Sequence, residues 1–229
     1  MGGGVGIPTI KQRPYFSSYH LWAAKKFTEV CGEIEDSLVG KKPFDFEHRA
    51  YVIAAIVCAV SFLEAAINEV FQDAFDEHTS YVANLSSETR ALMKDFWGQT
   101  ERTKNSTTRI FDKSRILGKY QCALCFASVE KFDQEKSPYK DISVLIELRN
   151  ELIHYKPKSL GGDSTHILQN KLIGKFAENR LMACSKSLFF PDKCLGEGCS
   201  KWAVDSSRNF ADEFFKRIGI EPNYQRLKI

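Results

Sequence analysis

Residues 51–67 read YVIAAIVCAVSFLEAAI, and this apolar stretch decides the fold. Its length and the lack of polar alternation predict a helix that is buried nearly all round, running from about residue 44 to 77. Pro43 stands at its start, where proline is well tolerated. Glu64 interrupts the run before it reaches the roughly 20 apolar residues of a membrane span. We therefore expect the central helix of a protein core.

The rest of the chain supplies further amphipathic segments. Their apolar spacing predicts helices over about 16–38, 86–103, 108–132, 138–156, 165–183 and 199–218. Trp22 opens the apolar series of the first helix, and Ser137 and Pro138 are expected to cap and open the helix over 138–156. No segment alternates apolar and polar residues convincingly, and GQTERTKNSTT (98–108) is interpreted as a polar loop. The predicted fold class is all-α, a helical bundle with one core.

Length and composition bound the organisation of the chain. Its 229 residues suit one domain, predicted over 15–229, after a Gly-rich flexible tail over 1–14. The N-terminus lacks the apolar run of a signal peptide, so we expect a cytoplasmic protein with no membrane partner. The net charge of +3 is too small to indicate nucleic-acid binding by bulk electrostatics, but it does not exclude a local basic site.

Two cysteine pairs raise the alternative of a structural zinc site. Two residues lie between Cys122 and Cys125, whereas four lie between Cys194 and Cys199. Zinc ligands follow such short spacings, but the first pair lies in an apolar run that predicts a buried helix. Free cysteine is a common small core residue, so we expect thiols and no metal.

The stretch ELRNELIHYKP (147–157) places an arginine where an apolar residue belongs. On a helical wheel Arg149 falls among the leucines and isoleucines of the buried face, and an unpaired buried guanidinium costs several kcal/mol. The central helix offers a partner, because Glu64 belongs to a narrow polar stripe with Ser61, Asn68 and Gln72. We expect Glu64 and Arg149 to meet. In the alternative, the stripe faces water and Arg149 extends past its neighbours to solvent.

The segment from Arg149 to His154 resembles the motif of the HEPN superfamily. There an arginine, followed by a polar residue, precedes a histidine near the end of a helix, as Arg149, Asn150 and His154 do here. SFLEAAINEVF (61–71) is similar to the central helix of HEPN-like proteins, and the resemblance covers about 45–157. It implies a bundle of four or five helices that dimerises, here with extra N- and C-terminal helices.

The resemblance also implies roles for individual residues. Arg149, Asn150 and His154 would be catalytic, with Glu64 and Asn68 supporting them. Many HEPN proteins are metal-independent ribonucleases, often toxins or defence effectors, and others bind nucleotides or RNA without catalysis. The partners so implied are RNA, a second copy of the chain and an antitoxin or regulatory protein, with no cofactor.

The chemistry of these residue types suits RNA cleavage. Histidine transfers protons near neutral pH, and arginine binds phosphate oxygens with a permanent forked charge. Arg149 and His154 are about 140° apart on a straight helix, so they do not share a face. Lys156 and Tyr155 are candidate RNA contacts, although an exposed lysine after a helix is usually only solvated. The alternative function is a non-catalytic HEPN-like module that binds nucleotides, RNA or a protein partner, and a helical scaffold that matches the motif by accident is the third.

Overall fold

The computed structural model describes residues 13–102, 107–110, 115–157, 166–182 and 185–226. Within these ranges the protein is all-α, apart from one short hairpin. The helices are α1 (Phe16–Leu38), α2 (Phe46–Phe75), α3 (Thr79–Val82), α4 (Ser87–Gly98), α5 (Ile116–Phe126), α6 (Tyr139–Ile153), α7 (Gln169–Leu172) and α8 (Glu197–Ile218). Short helical turns cover Arg180–Met182, Phe189–Lys193 and Asn223–Arg226.

Helix α2 is the centre of the core, as its sequence predicts. It packs against α1, α4, α5, α6 and α8, which surround it. Asp45 caps its N-terminus by accepting the backbone N–H of His48 at 2.9 Å, an arrangement typical of aspartate at this position. The surrounding helices therefore enclose much of α2, and they fix the helix that carries Glu64.

By length and composition alone, α2 is also apolar enough to cross a membrane. Its mean hydropathy reaches 2.2 over an 18-residue window, and 50% of that window is buried inside the protein. A single such helix is weak evidence, because the core helix of a soluble protein passes the same test. The absence of a membrane partner stays a prediction.

The buried core extends well beyond the region of the HEPN resemblance. A continuous cluster runs from Leu21 in α1 to Tyr224 near the C-terminus. In α8, Phe210 and Phe214 contact the ring of Tyr120 in α5, with ring centroids 4.9 Å and 4.6 Å apart. The last helix thus completes the core, a role that the sequence alone leaves undecided.

Several predicted elements are corrected by the structure. Thr100–Arg102 and Thr107–Arg109 pair as an antiparallel hairpin inside the stretch interpreted as a loop, because three-residue strands are too short for a period to show. Among the described residues of the predicted helix over 108–132, α5 is the helical part, and those of the predicted helix over 165–183 form α7 and a 3₁₀ turn. Predicted features of residues 1–12 and 227–229 lie outside the described residues.

Two details of the helix predictions also change. Trp22 is 54% exposed, and α1 buries Leu21 and Ala24 instead, so the inward face lies one residue away from the predicted one. Pro138 precedes the first residue of α6 rather than forming it, and Ser137 does not cap the backbone. The Ser137 hydroxyl donates to the side chain of Asp141 at 2.5 Å, which holds the same turn by another contact.

Candidate functional site

Helix α6 positions all three residues of the motif. Its buried face consists of Ile142, Val144, Leu145 and Leu148. Arg149 follows Leu148 and is half-buried, whereas Asn150 is exposed. His154 is the exposed residue that follows the last residue of α6, and its backbone N–H donates to the carbonyl of Asn150 at 2.9 Å. The helix end therefore directs Arg149 and His154 to different surroundings.

Those surroundings are two adjoining clefts. The arginine cleft has a volume of about 760 Å³ and is lined by Arg149, Asn150, Glu64 and residues of α5 and of the turn before α6. The histidine cleft, of about 440 Å³, is lined by His154, Lys156 and Asn150 together with residues 167 and 168. Asn150 lines both clefts, and so does Glu147. The two clefts therefore adjoin along α6, and together they are called the groove along α6.

The predicted ion pair between Glu64 and Arg149 does not form. Both residues line the arginine cleft, but no contact within 4.0 Å joins their charged atoms among the described residues. The Nε atom of Arg149 is buried and has no hydrogen-bond partner there. At Glu64 and Arg149 the cleft lies between α2 and α6. The two charged side chains therefore stand on either side of the cleft and do not bridge it.

The other members of the polar stripe hold neighbouring helices. Asn68 accepts a hydrogen bond from the Nζ of Lys119 at 2.8 Å, and Lys119 is completely buried. Gln72 accepts from the indole N–H of Trp97 at 2.8 Å. Asn68 therefore supports the packing of α5 on α2 and lines neither cleft, which places it outside the candidate site.

The two candidate RNA contacts differ in position. Lys156 is exposed and lines the histidine cleft beside His154. Tyr155 is 46% exposed and lines neither of the two clefts. Ile153 and Ile167 are also exposed, at 48% and 75%, and of these three apolar side chains Ile167 lines the histidine cleft. The structure thus brings Lys156, and not Tyr155, to the groove.

Sequence reasoning missed Arg115, which lines the arginine cleft from the N-terminus of α5. The prediction of a helix over 108–132 placed this arginine in mid-helix, where nothing marks it out. Tyr139, in the first turn of α6, also lines the cleft, and burial raises the pKa of its hydroxyl so that it stays neutral. Neither residue belongs to a motif, so only the packing of α5 against α6 reveals them.

Carboxylates partly offset the positive charge of the arginines in the arginine cleft. Glu147 pairs with Lys171 at 2.6 Å, and Glu135 lies 3.9 Å from Lys140. These contacts are exposed, so their energies are small, but each places a compensating charge beside its glutamate. Glu64 has no such partner among the described residues.

A second histidine lies against the motif helix. His166 is buried, and its Nε2 lies 3.0 Å from the carboxylate of Glu151 in α6. Its Nδ1 accepts the backbone N–H of Leu168 at 3.3 Å, so Nε2 carries the proton and donates it to Glu151. The ring also stacks on Phe190 at 4.2 Å. His166 therefore clamps the segment that begins with it to helix α6.

The cysteines of the zinc alternative lie in different environments. Cys125 is exposed on α5, whereas Cys194 and Cys199 are fully buried. Burial, with the neighbouring Cys194, raises the pKa of Cys199 and favours its protonated thiol. Within the described ranges no group of three or more histidine, cysteine or acidic side chains has the geometry to hold a metal ion.

Comparisons of the chain with protein-family models, curated proteins and solved structures find no match. The resemblance of residues 149–154 to the HEPN motif therefore stays a prediction. The functional argument depends on the groove along α6 and on the chemistry of the side chains that line it.

Proposed function

We propose that the protein is a metal-independent endoribonuclease of the HEPN type, acting as a homodimer. The observation that carries the proposal is that the cleft of Arg149 and the cleft of His154 adjoin on α6 and share Asn150 in their linings. A strand of RNA lying in this groove would meet a guanidinium, an amide and an imidazole in sequence. These groups suit phosphate binding, hydrogen bonding and proton transfer, respectively.

The reaction uses the nucleophile that RNA itself carries. A base removes the proton of the 2′-hydroxyl, the O2′–phosphorus bond forms, and the bond from phosphorus to O5′ breaks. An acid protonates the departing O5′, so the products are a 2′,3′-cyclic phosphate and a 5′-hydroxyl. His154 would transfer protons, because it is the imidazole that lines the histidine cleft and it is exposed to an incoming substrate. Arg149 would stabilise the charge on the pentacoordinate phosphorus.

Among the described residues of one chain, His154 is the one histidine that lines this groove, whereas the reaction needs a base and an acid. A two-fold dimer would bring a second His154 to the site. The exposed apolar side chains of Ile153 and Tyr155 at the end of α6, and of Ile167 in the lining of the histidine cleft, support such an arrangement, because exposed apolar residues are typical of interfaces. Each copy would cover these side chains of the other.

A non-catalytic module that binds RNA or nucleotides is the second candidate. It is favoured by the separation of Arg149 and His154 into different clefts within one chain. The glutamates of the arginine cleft favour it as well, because they weaken attraction for a highly charged transition state.

The decisive experiment incubates purified protein with several RNAs in EDTA and identifies the ends of the fragments. Cyclic phosphate ends should appear with wild type and disappear with His154→Ala and with Arg149→Lys. His20→Ala, a histidine change on α1, serves as the matched control and should leave cleavage unchanged. Cleavage that persists in His154→Ala would contradict the proposed site, and a folded wild type that cuts none of the RNAs would favour the binding module.

The dimer has its own test. Ile167→Lys places a charge on a side chain that is 75% exposed, so the monomer should still fold. Light scattering should show a dimer for wild type and a monomer for this variant, which should also lose cleavage. Lys26→Glu, an exposed charge change on α1, should affect neither. If wild type is a monomer that cleaves RNA, the two-fold site is wrong.

A further inference from the structure

A glutamate near the end of α6 lines the histidine cleft beside His154. Glu151 precedes His154 by three residues, and side chains at this spacing are neighbours on a helix. Both residues line the histidine cleft, and the side chain of Glu151 is 23% exposed. The cleft therefore presents a carboxylate next to the imidazole that the proposed reaction uses.

A buried histidine fixes this carboxylate in place. The Nε2 of His166 donates to Oε1 of Glu151 at 3.0 Å, and Nδ1 of the same ring accepts the backbone N–H of Leu168. The side chain of His166 is 2% exposed, and its ring stacks on Phe190 with centroids 4.2 Å apart. Because both ring nitrogens and the ring face have contacts, His166 holds one orientation and sets that of Glu151 before a ligand binds.

The negative charge of Glu151 narrows the part of an RNA strand that it can contact. A carboxylate repels phosphate, so its ligand must be an uncharged group that donates hydrogen bonds. The two oxygens of a carboxylate offer about four acceptor positions, so the contact with His166 does not exhaust them. In a nucleotide bound at His154 the 2′-hydroxyl takes part in the reaction. The base is therefore the part of the nucleotide that suits Glu151.

The four RNA bases differ in what they offer to a carboxylate. Guanine presents N1–H and its N2 amino group side by side, and this pair of donors matches the two carboxylate oxygens. Adenine and cytosine each place a ring nitrogen acceptor beside their amino group, and uracil places a carbonyl oxygen on either side of N3–H. A carboxylate repels these acceptors, which discriminates against the three bases. Guanine is therefore the base that Glu151 fits best.

The rest of the cleft suits a single nucleotide. Its volume of about 440 Å³ lies within the roughly 300–1,000 Å³ that is typical of small-molecule sites. Ile167 and Leu168 give the lining apolar surface, which suits the flat faces of a base. Lys156, in the same lining, supplies positive charge for the adjoining phosphate.

We propose that Glu151, positioned by His166, selects guanine in the nucleotide bound beside His154. The carboxylate accepts hydrogen bonds from N1–H and from the N2 amino group of the base. This inference rests on the proposed function, because it takes an RNA strand as the occupant of the cleft. The protein would then cut RNA on the 3′ side of guanosines.

The test compares oligonucleotides that differ in one group of one base. The reference is the ribotrinucleotide uridine–guanosine–uridine. Its guanosine is replaced by inosine, which lacks the N2 amino group, by 7-deazaguanosine, which lacks the N7 acceptor, or by adenosine. Cleavage rates use these trinucleotides, and fluorescence anisotropy measures the affinities of versions with a 2′-deoxy central residue, which cannot be cleaved.

Three variants accompany the wild type. Glu151→Gln keeps the shape of the side chain and replaces one acceptor oxygen by a donor. His166→Phe keeps a ring against Phe190 and removes the hydrogen bond to Glu151. Glu178→Gln is the matched control, because Glu178 is exposed and lines neither cleft.

Wild type should bind and cleave the guanosine sequence about 10- to 100-fold better than the inosine or adenosine sequence, because a hydrogen bond to a charged group is lost. 7-Deazaguanosine should match guanosine within about twofold, since N7 lies away from the edge that Glu151 contacts. Glu151→Gln should reduce the preference for guanosine over inosine to under about threefold, and His166→Phe should reduce it in part. Glu178→Gln should keep the wild-type preference.

The outcomes separate guanine recognition from the proposed function. Cleavage by wild type without preference among the bases, or an unchanged preference in Glu151→Gln, would overturn the inference and keep the nuclease. The expected binding preference in a wild type that never cleaves RNA would keep guanine recognition and reject the nuclease. An equal loss of affinity for every central base in Glu151→Gln would place the carboxylate at the ribose and overturn the inference. Absence of both binding and cleavage would reject the two together.

Discussion

Substitution of Glu35 by glutamine should destabilise the fold strongly. The Glu35 side chain is 1% exposed and joins three parts of the chain. Its Oε1 accepts from His48 Nε2 at 2.9 Å and from the backbone N–H of Glu197 at 2.7 Å. Its Oε2 accepts from the Nε of Arg180 at 2.8 Å. One carboxylate therefore ties α1 to α2, to the N-terminus of α8 and to the turn at Arg180.

The expected magnitude follows from burial. Hydrogen bonds to charged groups contribute about 1.5–3 kcal/mol each, and breaking a buried pair costs roughly 3–5 kcal/mol. Arg180 is 40% exposed, so its share is screened by water. Glutamine keeps the volume and one acceptor but presents an NH₂ group to donors. We expect a loss of about 3 kcal/mol in the free energy of unfolding for Glu35→Gln.

Urea denaturation, followed by circular dichroism, measures this loss as a lower midpoint at constant slope. Asp36→Asn is the matched control, because Asp36 pairs with the same Arg180 but is 71% exposed. It should cost under about 1 kcal/mol. Equal losses in the two variants, or a loss below about 1 kcal/mol for Glu35→Gln, would refute the reasoning.

The same carboxylate predicts a pH dependence. Burial alone would raise the pKa of Glu35, but the donors from His48, Glu197 and Arg180 outweigh it and hold the pKa below its ordinary value. A lowered pKa gives stability that is present above the unfolded value of about 4.3 and lost as pH falls through the folded one. The difference in unfolding free energy between wild type and Glu35→Gln should therefore shrink below about pH 4.

Three further changes have defined outcomes in the same unfolding assay. Gly118→Ala should raise the free energy of unfolding by about 0.5–1 kcal/mol, because alanine favours the helix and its Cβ would meet no atom within 4 Å. A lower free energy of unfolding would show that alanine strains the first turn of α5. Leu148→Ala should cost about 2–5 kcal/mol, because Leu148 is fully buried beside Arg149; a cost under about 1 kcal/mol would mean that the site collapses around the gap. Burial raises the pKa of Glu69 despite the hydrogen bonds that Ser17 donates, so the folded protein binds a proton at Glu69 more tightly than the unfolded chain does. Wild type should therefore lose stability relative to Glu69→Gln as pH rises above about 4.3. A parallel pH dependence of the two proteins would contradict this.

The candidate site was only partly predictable. The motif residues were visible because Arg149 breaks an apolar pattern and His154 stands at a helix end. Arg115 and Tyr139 carry no local pattern, and they join the site only because α5 and α6 flank one cleft. Whether Glu64 touches Arg149 depends on a gap of a few ångströms between helices, which spacing along a chain does not encode.

The sequence by itself determined the all-α class and the long helices. The bounds Phe16–Leu38 and Phe46–Phe75 lie within two residues of those predicted, because apolar periodicity over many turns is a strong local signal. The prediction of one helix over 165–183 was wrong for the opposite reason. The described apolar residues of this range lie in short helical turns, where no periodicity extends over many turns.

Only the tertiary structure decided how the charged residues are used. Glu35 lies within an amphipathic helix where a solvated face is the ordinary expectation, yet packing of α2 and α8 encloses it with three donors. His166 likewise acquires Glu151 from a helix that precedes it by a long connection. Partners of buried charges come from distant parts of the chain, so they are fixed by packing and not by the local pattern.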